Sequence, residues 1–140
     1  MKILVIDGQG GGMGRSLIEK LRIRLPEAEI IAVGSNALAT SAMLRAGATA
    51  GATGENAVIY NAPRCDIITG PIGIILANSM YGEISPAMAA AVSASPAQKI
   101  LIPVNKSGLR VVGVVTSSTE ELLTQAVESV YLWSGKGRVC

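Results

Sequence analysis

The sequence predicts a three-layer α/β protein with a mostly parallel sheet, and three observations lead there. The run Lys2 to Ile6 is aliphatic and continuous, as a strand buried on both faces should be. A glycine-dense stretch, Gly8 to Gly14, follows it at once and opens onto a segment of helical period. Beyond it, short aliphatic runs keep alternating with helix-period segments, the pattern of a parallel sheet with right-handed crossovers.

Each element has its own signal. Arg15 to Leu25 reads as a helix because Leu17, Ile18, Leu21 and Leu25 recur at helical spacing and Pro26 stops it. Glu29 to Val33 is a second buried strand, closed by Gly34-Ser35-Asn36. Ala37 to Arg45 is a helix capped by Ser35 or Asn36 and ended by Gly47. Ala48 to Ala50 reads as a short third strand. Gly54 to Asn61 suits a helix, although Val58-Ile59-Tyr60 equally suits a strand. Asp66 to Thr69 is a strand leading into Gly70-Pro71-Ile72-Gly73. Ser85-Pro86 starts a helix, with serine as N-cap and proline at the first helical position, and the Ala-rich run through Val92 continues it. Lys99 to Val104 is the next strand. Only Asn105 to Gly108 separate it from the aliphatic run Leu109 to Val115, too few residues for a parallel crossover. The sequence therefore predicts an antiparallel C-terminal edge strand there. Thr119 to Leu132 is the final helix. Residues 1–134 read as one Rossmann-like nucleotide-binding domain, and residues 135–140 as a flexible basic tail.

Composition narrows the partners. Charged residues make up 16% of the 140-residue chain, against about 25% in typical domains. So lean a polar surface predicts a homo-oligomer, with a dimer favoured because two-fold symmetry is commonest. The final helix, carrying Leu122, Leu123, Val127, Val130, Tyr131 and Trp133, is expected to present the surplus apolar area. Net charge is +2, the basic residues are scattered and aromatics are 3%, which argues against nucleic acid. No apolar run approaches the ~20 residues of a membrane span; the longest candidate, Ile72 to Met80, is broken by Gly73 and Asn78. The start is charged too soon for a signal peptide, so a cytoplasmic location is expected. Cys65 and Cys140 with no histidine leave no usual metal site.

The stretch Asp7-Gly8-Gln9-Gly10-Gly11-Gly12-Met13-Gly14 is the main candidate site. Glycines there permit positive φ and close backbone approach, while a helix N-terminus offers free amides to an anion. The strict G-x-G-x-x-G spacing is not matched; Gly8, Gly12 and Gly14 fit G-x-x-x-G-x-G instead. The plain alternative is a tight turn, and a P-loop is the other rival, since Gly14-Arg15-Ser16 echoes its G-K-[ST] ending. Asp7 beside a diphosphate is repulsive unless it contacts a sugar hydroxyl, a loop amide or a metal, or caps its own loop. In parallel sheets ligands sit beyond the strand carboxyl ends at the switch point, which adds Gly34, Ser35, Asn36, Gly70, Pro71, Ile72 and Asn78 to the candidates. Nicotinamide proteins preferring NAD carry an acid after the second strand. Ser35 and Asn36 stand there instead, with Arg15 or Arg45 near, which favours NADP over NAD.

No catalytic set emerges. The Tyr-x-x-x-Lys pair is absent, because Arg64, Ser85 and Gly135 follow Tyr60, Tyr81 and Tyr131 at that spacing. Histidine, the commonest general base, is missing. Glu55 and Glu83 sit beside glycines but read first as solvated helix-start carboxylates.

Through Val5 to Gly12, Asn36 to Met43, Gly51 to Ala57, and Gly70 to Gly73 with Asn78-Ser79-Met80, the chain resembles a short bacterial family described only as a domain of unknown function. The resemblance covers nearly the whole chain and implies a shared site without naming a substrate. Gly11-Gly12-Met13-Gly14 is also similar to the loop of nicotinamide dehydrogenases such as prephenate dehydrogenase, an analogy at the level of fold. The expectation is a nucleotide- or dinucleotide-binding protein, NAD or NADP being the first candidate cofactor, acting in sensing or as an accessory protein. The alternatives are a small NAD(P)-dependent oxidoreductase completed by a second subunit, and a P-loop-like nucleotide binder.

Overall fold

A computed structural model describes residues 1–104, 108–115 and 118–135. Among the described residues, five strands and five α-helices follow one another: β1 (Lys2–Asp7), α1 (Gly12–Arg24), β2 (Glu29–Gly34), α2 (Ala37–Arg45), β3 (Ala50–Thr53), α3 (Glu55–Asn61), β4 (Ile67–Pro71), α4 (Pro86–Ala94), β5 (Gln98–Ile102) and α5 (Thr119–Trp133). The sheet runs β3-β2-β1-β4-β5 and every pair is parallel.

Period-two alternation splits the central strands between two cores. Ile3, Val5, Ile30 and Ile67 face α1, α2 and α5, where Leu17, Ile18, Leu21 and Met43 close over them. Leu4, Ile6, Val33 and Ile68 face α3 and α4 and pack on Val58, Met88 and Val92. This is the three-layer arrangement the sequence predicts. Each fully buried aliphatic side chain contributes on the order of 1.5–3 kcal/mol. At the sheet's amino end, the Arg22 guanidinium donates to the carbonyls of Gly47 (2.6 Å) and Ala28 (2.6 Å) and to Thr49 Oγ1 (2.8 Å). One side chain thereby ties α1, β2 and the turn into β3.

The antiparallel edge strand is corrected. Among the described residues, 109–115 form no strand, and Gly113 takes φ 90° in a turn that interrupts the run. Val112 is 93% exposed, so the aliphatic run is not a buried one. The rest of the expected hairpin, residues 105–107, and residues 136–140 of the expected tail lie outside the described residues.

Smaller differences have local causes. The third strand begins at Ala50, not Ala48, because Thr49 Oγ1 accepts from Ile30 N and from Arg22, a cap that precedes the pairing of Ala50 with Ile31. Gly54 to Asn61 resolves as a helix: Gly54 at φ 97° breaks away from β3, and of the apolar trio only Val58 is buried. Helix α5 spends most of its apolar face inside the chain, with Leu123, Val127 and Val130 buried; Leu132 and Trp133 stay exposed. Among the described residues, no helix is long and apolar enough to cross a membrane.

Candidate functional site

The strand order places a switch point between β1 and β4, whose chains leave the sheet in opposite directions. A cleft of about 760 Å³ opens there, within the range of small-molecule sites. Asp7 to Met13 form one wall. Pro71 at the end of β4, with Ile72, Leu76, Asn78, Met80 and Tyr81 from the segment that leads to α4, form the other.

The glycines of the first wall divide by task. A Cβ on Gly11 would fall 2.8 Å from Ala39 Cα and 2.9 Å from its carbonyl oxygen; on Gly14 it would fall 2.5 Å from Met43 Sδ and 2.9 Å from Asp7 Cβ. These two let α1 approach α2 and β1. A Cβ on Gly8 would collide with Ser35 Oγ and Met80 Sδ, both at 2.6 Å. At Gly10 and Gly12 nothing lies within 4 Å of such an atom. Among the described residues their amides meet no acceptor, and Gly12 opens α1 with Gly11 as its left-handed N-cap (φ 72°). Two open amides at a helix N-terminus suit an anion.

Asp7 is 5% exposed and caps the loop from inside. Its Oδ1 accepts from Gly8 N at 2.8 Å and its Oδ2 from Gly14 N at 2.7 Å. Burial pushes its carboxyl above the ordinary value, against the pull of the Gly14, Gly8 and Met13 amides; the charge of Glu83 adds to the rise. The residue thus supplies the loop-capping role and takes up one loop amide and one amide of the first turn of α1.

Glu83 ties three loops together. Its Oε1 accepts from Ser35 Oγ (2.6 Å), Asn36 Nδ2 (2.7 Å) and Gln9 N (3.0 Å). The Ser35 bond leads in holding its carboxyl below the ordinary value, against partial burial, with Gln9 and Asn36 assisting. Asn36 Oδ1 meanwhile caps α2 by accepting from Ala39 N at 2.9 Å. Gly34 is packed under Thr40, whose Oγ1 would lie 2.4 Å from an added Cβ.

Among the described residues, four non-glycines have positive φ: Gln9, Asn78, Met80 and Tyr81 (51°, 65°, 56° and 56°). All four line the cleft. Such conformations cost on the order of 1–3 kcal/mol each and concentrate at functional sites. Tyr81 is fully exposed at the rim.

The expected site residues therefore separate into groups. Asp7 to Met13, Pro71, Ile72 and Asn78 line one cleft. Gly14, Gly34 and Gly70 are packing positions behind it; a Cβ on Gly70 would meet Ile6 O at 2.2 Å. Ser35 and Asn36 sit beside the cleft, engaged by Glu83. Glu83 reads in the sequence first as a solvated carboxylate, Met80 enters only through the motif Asn78-Ser79-Met80, and Tyr81 carries no site signal. The one signal was an acid after Gly82, just before the Ser85-Pro86 helix start. Arg15, the P-loop element, pairs along its own helix with Glu19 at 3.1 Å. Burial pushes the Cys65 thiol up to about 11, in keeping with a packing role. Among the described residues, no cluster of three or more His, Cys, Asp or Glu side chains can hold a metal.

Sheet order, cleft position and glycine loop define a Rossmann-like α/β protein with a cleft at its switch point. The chain belongs to the family described as a domain of unknown function, DUF3842, which matches residues 2–133. No curated protein matches it in sequence. Among solved structures it is similar to a dodecameric FMN-dependent UbiX-like decarboxylase from Escherichia coli O157:H7. That match has a TM-score of 0.56 and 16% identity, and covers 96% of this chain and 94% of that one. It is also similar to AibC, with a TM-score of 0.49 and 17% identity over 99% of this chain and 40% of that one.

The expectation of NAD or NADP is corrected by these findings. The fold similarity spanning nearly the whole chain is to an FMN-dependent protein. The Ser35 and Asn36 donors, expected to meet a 2′-phosphate, are already bound to the Glu83 carboxylate, which would repel one.

Proposed function

We propose that the cleft binds a flavin mononucleotide or a close relative, a phosphate monoester carrying a planar ring. The chain acts in this reading as a binding or accessory protein, assembled as a homo-oligomer. The observation that carries it is the pair of unpartnered amides at Gly10 and Gly12, residues in one wall of a cleft whose opposite wall is largely apolar. The fold likeness to an FMN-dependent protein supports the choice of ring.

The residues fit such a group. Gly10 and Gly12 would hold a single phosphate at the positive end of the α1 dipole. Because Asp7 fills the neighbouring amides, a second phosphate has no comparable place. Met13, Pro71, Ile72, Leu76 and Met80 offer the ring an apolar surface. A bound flavin supplies redox or adduct chemistry at that ring. Among the described residues the cleft wall has no His, Lys or Arg, which favours binding over turnover. Assembly is supported by apolar side chains left exposed, among them Ile23 (84%), Leu132 and Trp133.

The test is titration of the protein with FMN and riboflavin, followed by flavin fluorescence and calorimetry. FMN should bind and riboflavin, which has no phosphate, should bind more weakly. Gly12→Val should abolish FMN binding while circular dichroism stays native-like, since an added Cβ on this cleft-lining residue meets no atom within 4 Å. No FMN binding, or unchanged binding by Gly12→Val, would refute the reading.

A further inference from the structure

Building on the flavin mononucleotide reading, we propose that Tyr81 is the stacking residue of the cleft. Its ring lies against the planar ring of the bound ligand and supplies a large share of the affinity for it.

The chain holds three tyrosines, one tryptophan and no phenylalanine. Two of the tyrosines are engaged within the fold. The Arg64 guanidinium lies 4.1 Å from the centre of the Tyr60 ring, and that of Arg24 lies 3.6 Å from the centre of the Tyr131 ring. Tyr81 is the exception. It is 100% exposed, and it is the only aromatic residue in the cleft wall among the described residues. Its ring therefore adds nothing to the packing of the isolated chain.

The backbone makes the choice of residue more pointed. Met80, Tyr81 and Gly82 follow one another at φ 56°, 56° and 88°. Left-handed backbone is unfavourable for a residue with a Cβ, and glycine or asparagine would occupy such a position with less strain. An exposed, left-handed position thus holds a tyrosine against both packing and backbone preference. The turn that carries it is nevertheless well fastened. Asn78 N donates to Ile84 O (2.7 Å), Gly82 N to Asn78 O (3.1 Å) and Glu83 N to Met80 O (3.1 Å), and Ile84 is fully buried. Glu83 joins the same turn to the glycine wall by accepting from Gln9 N at 3.0 Å. A fixed backbone beneath an unpacked ring leaves little order to be lost when a flat ligand arrives. Tyrosine suits the rim of a cleft, with an apolar face for stacking and a hydroxyl that stays in water. Ile72 and Met80 in the same wall offer apolar contact without a π face.

The experiment compares FMN binding by wild type, Tyr81→Asn and Tyr81→Phe, read by calorimetry and flavin fluorescence. Asparagine accepts the left-handed backbone and removes the ring, whereas phenylalanine keeps the ring. Tyr81→Asn should unfold in urea at or above the wild-type midpoint and bind FMN about tenfold more weakly, the scale of one lost aromatic stack. Tyr81→Phe should stay within about twofold of wild type, because the stack needs no hydroxyl. A tyrosine stacked on a flavin quenches its fluorescence by electron transfer, so FMN should be dim on wild type and brighter on both variants. Unchanged affinity in Tyr81→Asn would overturn the proposal, and so would equal losses in the two variants. A lowered urea midpoint for Tyr81→Asn, or weaker binding with no change in fluorescence, would give the ring a structural role and overturn it as well. A smaller oligomer for Tyr81→Asn with FMN affinity unchanged would assign the ring to a second copy instead. Failure of wild type to bind FMN would overturn the flavin reading together with this one. FMN bound by wild type with its fluorescence undimmed would overturn this one alone.

Discussion

Gly11 and Gly12 are neighbours, yet alanine at each should have opposite consequences. At Gly11 the backbone has φ 72°, and the new Cβ would lie 2.8 Å from Ala39 Cα and 2.9 Å from Ala39 O. Those are backbone atoms of α2 and cannot rotate aside. A left-handed conformation costs a non-glycine residue roughly 1–2 kcal/mol, and forcing extra volume into a packed contact costs about 1–3 kcal/mol. The sum, on the order of 2–5 kcal/mol, is a large part of a typical stability of about 5–15 kcal/mol. At Gly12 nothing lies within 4 Å of the added atom and φ is ordinary. Alanine there should be neutral or gain up to about 1 kcal/mol from a less flexible unfolded chain and better helix propensity. Urea denaturation followed by far-UV circular dichroism measures both. With slopes unchanged, the midpoint of Gly11→Ala should fall well below wild type and that of Gly12→Ala should match or exceed it. Equal midpoints for the two variants would refute the division of the loop into packing glycines and open ones.

Two further outcomes follow from buried and charged groups. The folded value of Glu83 is depressed, so the stability it contributes is present above its ordinary value of 4.5 and lost as pH falls through the folded value. Urea midpoints of wild type should therefore drop more steeply on acidification than those of Glu83→Gln, and parallel curves would disprove it. Thr69 is fully buried, and its Oγ1 has no partner among the described residues. Thr69→Val keeps the shape and removes the unpaired group, so thermal or urea unfolding should show a gain of about 1 kcal/mol. A loss of that size would show that the hydroxyl has a partner.

The early elements were legible because their signals are local. Leu17, Ile18 and Leu21 announce α1 by spacing, Asn36 announces α2 by its capping chemistry, and the unbroken run before Asp7 announces a doubly buried strand. Helix α3 was ambiguous because Val58, Ile59 and Tyr60 are as compatible with a strand; the turn at Gly54 and the packing of α4 decide it. The expected edge strand rested on the aliphatic run Leu109 to Val115, with its direction from loop length, and the turn at Gly113 defeats it. The first wall of the cleft was readable from glycine density. Pro71, Ile72 and Asn78 of the second were named from the switch point, but the carboxylate beside the cleft was not, because Glu83 finds Ser35 and Asn36 across separations of 48 and 47 residues. The positive φ of Gln9, Met80 and Tyr81 has no mark in residue type, because only Asn78 among the four belongs to a class that visits that region readily.

The carboxylate of Asp7 also bears on how fast a ligand can be taken up. Because it bridges Gly8 and Gly14 by itself, the glycine loop holds its shape before anything arrives. Little ordering is left for binding to accomplish, so encounter rather than rearrangement should limit association. In a stopped-flow experiment the observed rate would rise linearly with ligand concentration instead of levelling off. Selectivity among ligands would then reside in how long each one stays.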